Sequence, residues 1–162
     1  MRLLFLFCFF ISISAFSQES KHIIGHNYEG FSFPKEFHIH GFPPEENRYS
    51  LDESQIKEVE SILEYNIHKF NRLYMATPHF PRRIEYDLKS YYRQYYSYTK
   101  DNDIIVRVFL IKKDPWNNEK MLKELSSDIQ TSLGGSISNP SFEINLTTKE
   151  IKQIQKKWLL EL

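Results

Sequence analysis

The sequence has little cysteine and no excess of charge of either sign. Its one cysteine in 162 residues, Cys8, lies in an apolar stretch at the N-terminus, so a disulfide framework is excluded. Twenty-one basic residues balance 21 acidic ones, and no overall field favours nucleic acid or an anionic membrane. A Gly-x-Ser-x-Gly elbow and a phosphate-binding glycine loop are both missing. We therefore expect no cofactor and no nucleic-acid partner.

The first 17 residues are typical of a secretory signal peptide. A basic start, an apolar run over residues 3–16 and a small-x-small exit at Ala15 and Ser17 are its three parts. The run is shorter than the roughly 20 residues of a membrane span. We predict cleavage between Ser17 and Gln18, which would remove Cys8 and leave no membrane span. The mature protein is then expected to be secreted or periplasmic, in a bacterial envelope.

Residues 18–49 show few periodic signals and contain several glycines and prolines. Phe31-Ser32-Phe33 and the stretch from Phe37 to His40 alternate like short strands, and Pro43-Pro44 ends the second. The composition predicts an ordered N-terminal arm over residues 18–49. The arm would pack on a single domain over residues 50–162.

A long amphipathic helix is the clearest predicted element. Ser50 with Glu53 three residues later has the pattern of a capping box. Apolar residues then recur at three- and four-residue steps on one face: Ile56, Val59, Ile62, Leu63, Ile67, Phe70 and Leu73. The pattern predicts a helix over about 51–74, at the N-terminal end of the domain. Such a helix needs a broad apolar partner, and a sheet face provides one.

A hairpin is predicted to follow the helix. Leu88 to Thr99 is rich in tyrosine, Ile104 to Ile111 is β-branched, and the polar turn Lys100 to Asp103 lies between them. In the second strand, Ile104, Val106, Val108 and Leu110 share one face, which should meet the helix. The opposite face, with Ile105, Arg107, Phe109 and Ile111, is expected to be partly wet.

Further short elements complete the predicted sheet. Residues 119–125 fit a short helix or a surface loop, residues 129–133 fit a strand, and Gly134-Gly135 fits a turn or bulge. Residues 141–146 alternate cleanly, while residues 151–160 fit either a strand or a helix, with a strand favoured for the first half. The expected fold is α+β, with one long N-terminal helix packed on a curved antiparallel sheet of about four strands.

This order of elements resembles the cystatin-like and nuclear-transport-factor-2-like folds. The resemblance is carried by the helix from Glu58 to Phe70 and by the strand-turn-strand stretch from Gly134 to Ile151. It covers roughly residues 50–155 and extends to small secreted bacterial proteins of uncharacterised function. It implies a curved sheet that wraps one helix. Because such folds host enzymes, inhibitors and binding modules alike, it implies no catalytic residue.

The tyrosine cluster is the main candidate ligand site. Strand alternation places Tyr92, Gln94, Tyr96 and Tyr98 on one face, and Arg107 of the next strand is grouped with them. Aromatic rings on a sheet can stack on a ligand while hydroxyls orient it. The alternative is that the tyrosines pack in the core or stabilise cross-strand pairs.

Two further patterns suggest chemistry without requiring it. His38 and His40 point to one side of a strand, and His22 and His26 lie upstream, so a metal site is one interpretation and exposed edge histidines another. Carboxylates and basic groups that could meet in space are Glu85, Asp87, Glu143, Arg107 and His79. Nothing in the spacing requires these groups to form an acid–base pair.

Three functions remain open from the sequence. The first is an exported, non-catalytic module that binds a protein or polymer on the aromatic sheet face. The second is a small pocket enzyme, a hydrolase or isomerase, which would need two ionisable side chains converging in one pocket. The third is a periplasmic inhibitor or immunity protein. The patterns favour a non-catalytic protein, and exposed sheet edges would permit a homodimer.

Overall fold

A computed structural model describes residues 19–37, 43–75, 88–129 and 139–154. Within these ranges the chain is α+β, and the helices are α1 (Glu53–Met75) and α2 (Asn118–Ser127). Seven strands are described: β1 (Lys21–Ile24), β2 (Glu29–Ser32), β3 (Arg48–Tyr49), β4 (Tyr91–Lys100), β5 (Asp103–Lys112), β6 (Ser141–Asn145) and β7 (Glu150–Ile154). They form one sheet in the order β1-β2-β4-β5-β6-β7, and β3 also pairs with β4.

The α+β class is confirmed, but the prediction of an N-terminal helix on about four antiparallel strands was wrong in three respects: the position of the helix, the number of strands and their direction. Three strands precede α1, and β2 runs parallel to β4 with Gly30 opposite Arg93, so the seven-stranded sheet is mixed. A parallel pair needs a long crossover, which α1 provides between β2 and β4. The first two strands are only four residues long. The strand β4 to which β2 pairs lies about sixty residues further along the chain, beyond the reach of local patterns.

The helix α1 begins at a different capping box from the predicted one. Asp52 Oδ1 accepts a hydrogen bond from Gln55 N at 2.9 Å, and Gln55 Oε1 accepts one from Asp52 N at 3.0 Å. The Ser50–Glu53 box is therefore wrong: Ser50 Oγ accepts from Lys35 N instead. Both Ser-x-x-Glu and Asp-x-x-Gln satisfy the capping pattern, so the sequence leaves the register of the first turn ambiguous.

The main core lies between α1 and one face of the sheet, as predicted. The helix contributes Ile56, Val59, Leu63, Ile67 and Phe70, and β5 contributes Val106, Val108 and Leu110. Phe142 and Ile144 of β6 continue the same layer, and the rings of Phe70 and Phe142 lie 5.0 Å apart. Because these apolar side chains are buried against one another, away from water, the helix and the sheet stabilise each other.

The hairpin β4–β5 confirms the prediction for Lys100 to Asp103. Its two-residue turn, Asp101 and Asn102, has positive φ angles of 53° and 68°. Two consecutive positive φ angles are typical of the type I′ turn, whose twist matches that of the paired strands. Aspartate and asparagine tolerate this conformation better than most residues do. The turn sets the register that places Tyr96 opposite Arg107.

A second layer covers the opposite sheet face, which was expected to be partly wet. Ile105, Phe109 and Ile111 are buried there, and only Arg107 among the four residues is half-exposed. The layer contains Phe31 of β2, Phe33 and Phe37 from the chain after β2, Leu125 of α2, and Ile129 just beyond α2. The expectation therefore holds at Arg107 and not at the other three residues, because alternation within a strand shows which residues share a face and carries no information about what covers each of them.

The C-terminal elements agree with the predictions where they are described. Residues 118–127 form α2, residues 141–145 form β6, and residues 150–154 form β7, so the first half of residues 151–160 is a strand. Residues 1–18 with the predicted signal peptide, His38, His40 and Gly134-Gly135 lie outside the described residues. The same holds for residues 130–133 and 155–162.

The parallel pairing of β2 with β4 can be tested at Gly30. A Cβ at this position would stand 2.0 Å from the carbonyl oxygen of Arg93, so Gly30→Ala must push the two strands apart. We expect a loss of about 2 kcal/mol in the free energy of unfolding, as for other overpacked sites, measured by urea denaturation.

Ile24→Ala is the control for this substitution. Ile24 lies in the neighbouring strand with 74% of its surface exposed, so its truncation should change stability by less than about 0.5 kcal/mol. Equal stability of Gly30→Ala and the wild type would contradict the close approach of β2 to β4.

Candidate functional site

Three of the predicted ligand residues hold the second layer in place. Tyr92, Gln94 and Tyr96 are buried between the sheet and the layer that contains α2. Gln94 Nε2 donates to the carbonyl oxygens of Leu125 at 2.8 Å and Asp128 at 2.7 Å, which satisfies the C-terminal end of α2. These contacts give the three residues a packing role, and their role in ligand binding stays a prediction.

Tyr92 is buried, and its hydroxyl end contacts α2. Its hydroxyl group donates to Asn118 Oδ1 in the first turn of α2, and Lys113 Nζ lies 4.5 Å from the centre of its ring. Lys113 also pairs with Glu29 at 3.2 Å, which connects this corner to β2. Tyr92 therefore links the hairpin to both α2 and the N-terminal strands.

The other two predicted residues, Tyr98 and Arg107, lie where the sheet face opens to solvent. Arg107, Glu143 and Lys152 stand directly opposite one another on β5, β6 and β7 and form an ion-pair row. Arg107 Nε lies 3.3 Å from Glu143 Oε2, and Lys152 Nζ lies 2.6 Å from Glu143 Oε1. Tyr98 donates its hydroxyl hydrogen to Glu143 Oε2 at 3.1 Å. One of the predicted acid–base pairs, Glu143 with Arg107, is therefore in contact in the row.

Exposure changes along the ion-pair row. The side chain of Glu143 is 15% exposed, that of Arg107 is 31% exposed and that of Lys152 is 73% exposed. Partial burial would raise the pKa of Glu143, but the hydrogen bonds from Lys152 and Tyr98 and the charge of Arg107 outweigh it and lower that pKa. Glu143 in turn raises the pKa of Lys152. Both shifts favour the charged forms of Glu143 and Lys152, and the two basic side chains of the row are more exposed than its carboxylate.

A groove of about 480 Å³ adjoins the ion-pair row. It lies between α1 and the last two strands, and its polar walls include Asn66, Lys69, Asn145 and Lys149 together with Glu143 and Lys152. Lys69 and Lys152 are exposed. β7 is the outermost strand on this side of the described sheet, so the groove and an edge strand lie together.

A buried polar cluster under α1 was missed by the sequence reasoning. Arg93 of β4 is fully buried, and its Nη1 donates to the carbonyl oxygens of Leu88, at 2.6 Å, and Tyr91. Arg93 Nη2 reaches Glu60 Oε2 at 3.4 Å, and the Tyr95 hydroxyl donates to Glu60 Oε1 at 2.9 Å. One signal was available in the sequence: Glu60 lies four positions after Ile56 and three before Leu63, so helical spacing places it beside the apolar face of the helix.

Burial dominates the ionisation of this cluster. Desolvation raises the pKa of Glu60 more than Arg93 and the Tyr95 hydrogen bond lower it. Burial, followed by the nearby carboxylate of Glu60, holds the pKa of Tyr95 well above its usual range. Two ionisable side chains, Glu60 and Arg93, thus converge beside a cavity, which is the geometry that a pocket site requires.

The metal interpretation of the histidines receives no support among the residues described. His22 stacks on Phe31 with ring centres 4.8 Å apart and faces Glu29 at 3.4 Å. No group of three His, Cys, Asp or Glu side chains able to hold a metal ion occurs within the described ranges. Glu85, Asp87 and His79, like His38 and His40, lie outside them.

Comparisons with known proteins found no match for the chain. No protein-family model, no curated protein and no solved structure matches it. The cystatin-like and nuclear-transport-factor-2-like resemblance therefore stays a prediction. None of the helices in the described part of the chain is long and apolar enough to cross a membrane.

The pKa values of the buried Glu60 and the half-buried Glu143 should be shifted in opposite directions. Carbon-13 NMR of the side-chain carboxyl groups should give Glu60 a pKa above the ordinary glutamate value and Glu143 a pKa below it. The folded state holds the Glu60 proton more tightly than the unfolded chain does. Its contribution to stability is therefore present below the ordinary pKa and lost as pH rises through the raised one. Shifts in the same direction would contradict this account of the two sites.

Proposed function

We propose that the chain is an exported, non-catalytic binding module that holds a protein ligand on the ion-pair row and its neighbouring groove. The single observation that carries the proposal is the row itself, in which the half-buried Arg107 and Glu143 and the exposed Lys152 stand in register beside a groove and an edge strand. Tyr98 and Arg107, two of the residues predicted from the sequence, belong to this surface.

The charges favour a ligand with an acidic extended segment. Around the groove the cations are Lys69, Lys149, Lys152 and Arg107, and the carboxylates are Glu58, Glu143 and Glu150. Glu143 and Glu58 are already paired, whereas Lys69 and most of the Lys152 side chain face solvent. An acidic strand added beside β7 would form main-chain hydrogen bonds and meet these lysines.

The proposal of a protein ligand also covers the inhibitor or immunity role, since a protein in that role binds an enzyme or a toxin. The pocket-enzyme alternative has a specific observation behind it, the meeting of Glu60 and Arg93 at a cavity. However, Arg93 Nη1 already donates hydrogen bonds to two backbone carbonyls, and Glu60 already accepts one from the Tyr95 hydroxyl. These bonds fix α1 on the sheet, so we prefer binding to catalysis.

The test removes two exposed charges from the groove. The double variant Lys69→Gln, Lys152→Gln should weaken binding of the partner at least tenfold, about 1.4 kcal/mol, because two cations no longer meet its acidic segment. The partner is first captured from envelope extract with the wild-type protein and identified. It is then purified and titrated against each variant by calorimetry.

Two controls locate the binding face. Lys120→Gln, Lys123→Gln makes the same charge change on exposed positions of α2 and should leave affinity unchanged. Trp116→Ala removes a side chain that is 92% exposed on a different loop. Loss of binding in Trp116→Ala alone, or equal loss in both double variants, would contradict the proposed face, and failure to capture any partner would contradict the binding module.

A further inference from the structure

A second cavity, of about 270 Å³, lies where α1 passes over the β1–β2 turn and the start of β4. The turn contributes Asn27 and Tyr28, the helix contributes Lys57 and Glu60, and Lys89 and Arg93 complete the wall. The volume lies just under the roughly 300–1,000 Å³ of common ligand sites, so a ligand there would be small. α1 borders both this cavity and the groove of the proposed protein ligand, but the two share no lining residue.

Two buried polar atoms of this wall lack hydrogen-bond partners among the described residues. They are Nε of Arg93, a donor, and Oδ1 of Asn27, an acceptor. Buried polar groups are paired in the great majority of cases, so each unpaired one needs a physical explanation. An acceptor that approaches Arg93 and a donor that approaches Asn27 would satisfy both atoms together.

The charges of the wall favour an anion. Lys57 and Lys89 are exposed at the mouth and Arg93 lies buried in the wall, whereas the carboxylates of the lining are Glu60 and Glu64. Glu60 reaches Arg93 only through Nη2, at 3.4 Å. A carboxylate matches the planar fork of a guanidinium group and can accept from Nε, which Glu60 leaves without a partner.

We infer that the cavity between α1 and the β1–β2 turn binds a small carboxylate that also carries a hydroxyl or amino group. The carboxylate accepts from Arg93 Nε and is attracted by Lys57 and Lys89. The hydroxyl or amino group donates to Asn27 Oδ1. The site is independent of the proposed protein ligand, because the two surfaces have no residue in common.

The experiment titrates the full protein with a panel of defined probes: lactate, malate, glycine, aspartate, inorganic phosphate and the uncharged lactamide. Calorimetry gives the affinity, and nitrogen-15 NMR follows the Nε–H signal of Arg93. We expect at least one hydroxy or amino carboxylate to bind with a dissociation constant of 1 mM or tighter (about −4 kcal/mol) and to shift that signal. Lactamide should bind at least tenfold more weakly than lactate.

Variants separate this site from the groove. Lys57→Gln, Lys89→Gln changes only exposed side chains and should weaken carboxylate binding at least tenfold, and Asn27→Ala should weaken it as well. Lys69→Gln, Lys152→Gln should leave it unchanged. The inference is overturned if no carboxylate binds, if phosphate or lactamide binds as well as the best carboxylate, or if the Lys57 and Lys89 variant keeps full affinity.

Discussion

Both layers of the structure depend on the burial of β4 on its two faces. Every side chain from Tyr91 to Tyr98 is buried, because α1 covers one face of the strand and the layer containing α2 covers the other. A strand of this kind is normally apolar, yet β4 carries Arg93, Gln94 and Ser97. Each needs a hydrogen-bond partner inside the protein, since burial without one is costly. Gln94 bonds to the end of α2, and Ser97 donates to the backbone of Tyr49 in β3. The polar residues of one strand thus attach three other elements to it.

The two candidate surfaces lie where this arrangement leaves polar groups at its margins. On the α1 side, the buried Arg93 is paired with Glu60, and the smaller cavity lies beside this pair. On the opposite side, the covering layer of the described residues includes none from β6 or β7, and the ion-pair row crosses that part of the sheet. A buried ion pair adds little to stability because desolvation of the two charges offsets their attraction. Ionisable groups with shifted pKa values beside cavities are common at functional sites. The row contains one half-buried carboxylate between two cations, an arrangement suited to recognising a charged partner.

The candidate site was predictable only in part. The tyrosine-rich strand and the face shared by Tyr92, Gln94, Tyr96 and Tyr98 follow from alternation, and the hairpin turn places Arg107 opposite Tyr96. Which of these side chains would meet solvent depends on α2 and on the phenylalanines after β2, and no spacing within the strand records that. Glu143 was one of several carboxylates that could have met Arg107, and strand pairing across 36 residues selected it. Arg93 and Glu60 escaped notice because charged residues are expected at the surface unless a partner across the fold is known.

The sequence by itself determined the elements whose signals are local. These are the length and apolar face of α1, the Asp101–Asn102 hairpin, the α+β class, and the alternation of β6 and of the start of β7. Only the tertiary structure decided the place of β1, β2 and β3 in the sheet, the parallel direction of β2, and the choice of Asp52 over Ser50 as the helix cap. The physical reason is range. Periodicity and turn chemistry act over a few residues, whereas strand order, direction and burial result from contacts between segments tens of residues apart, where the most favourable packing prevails.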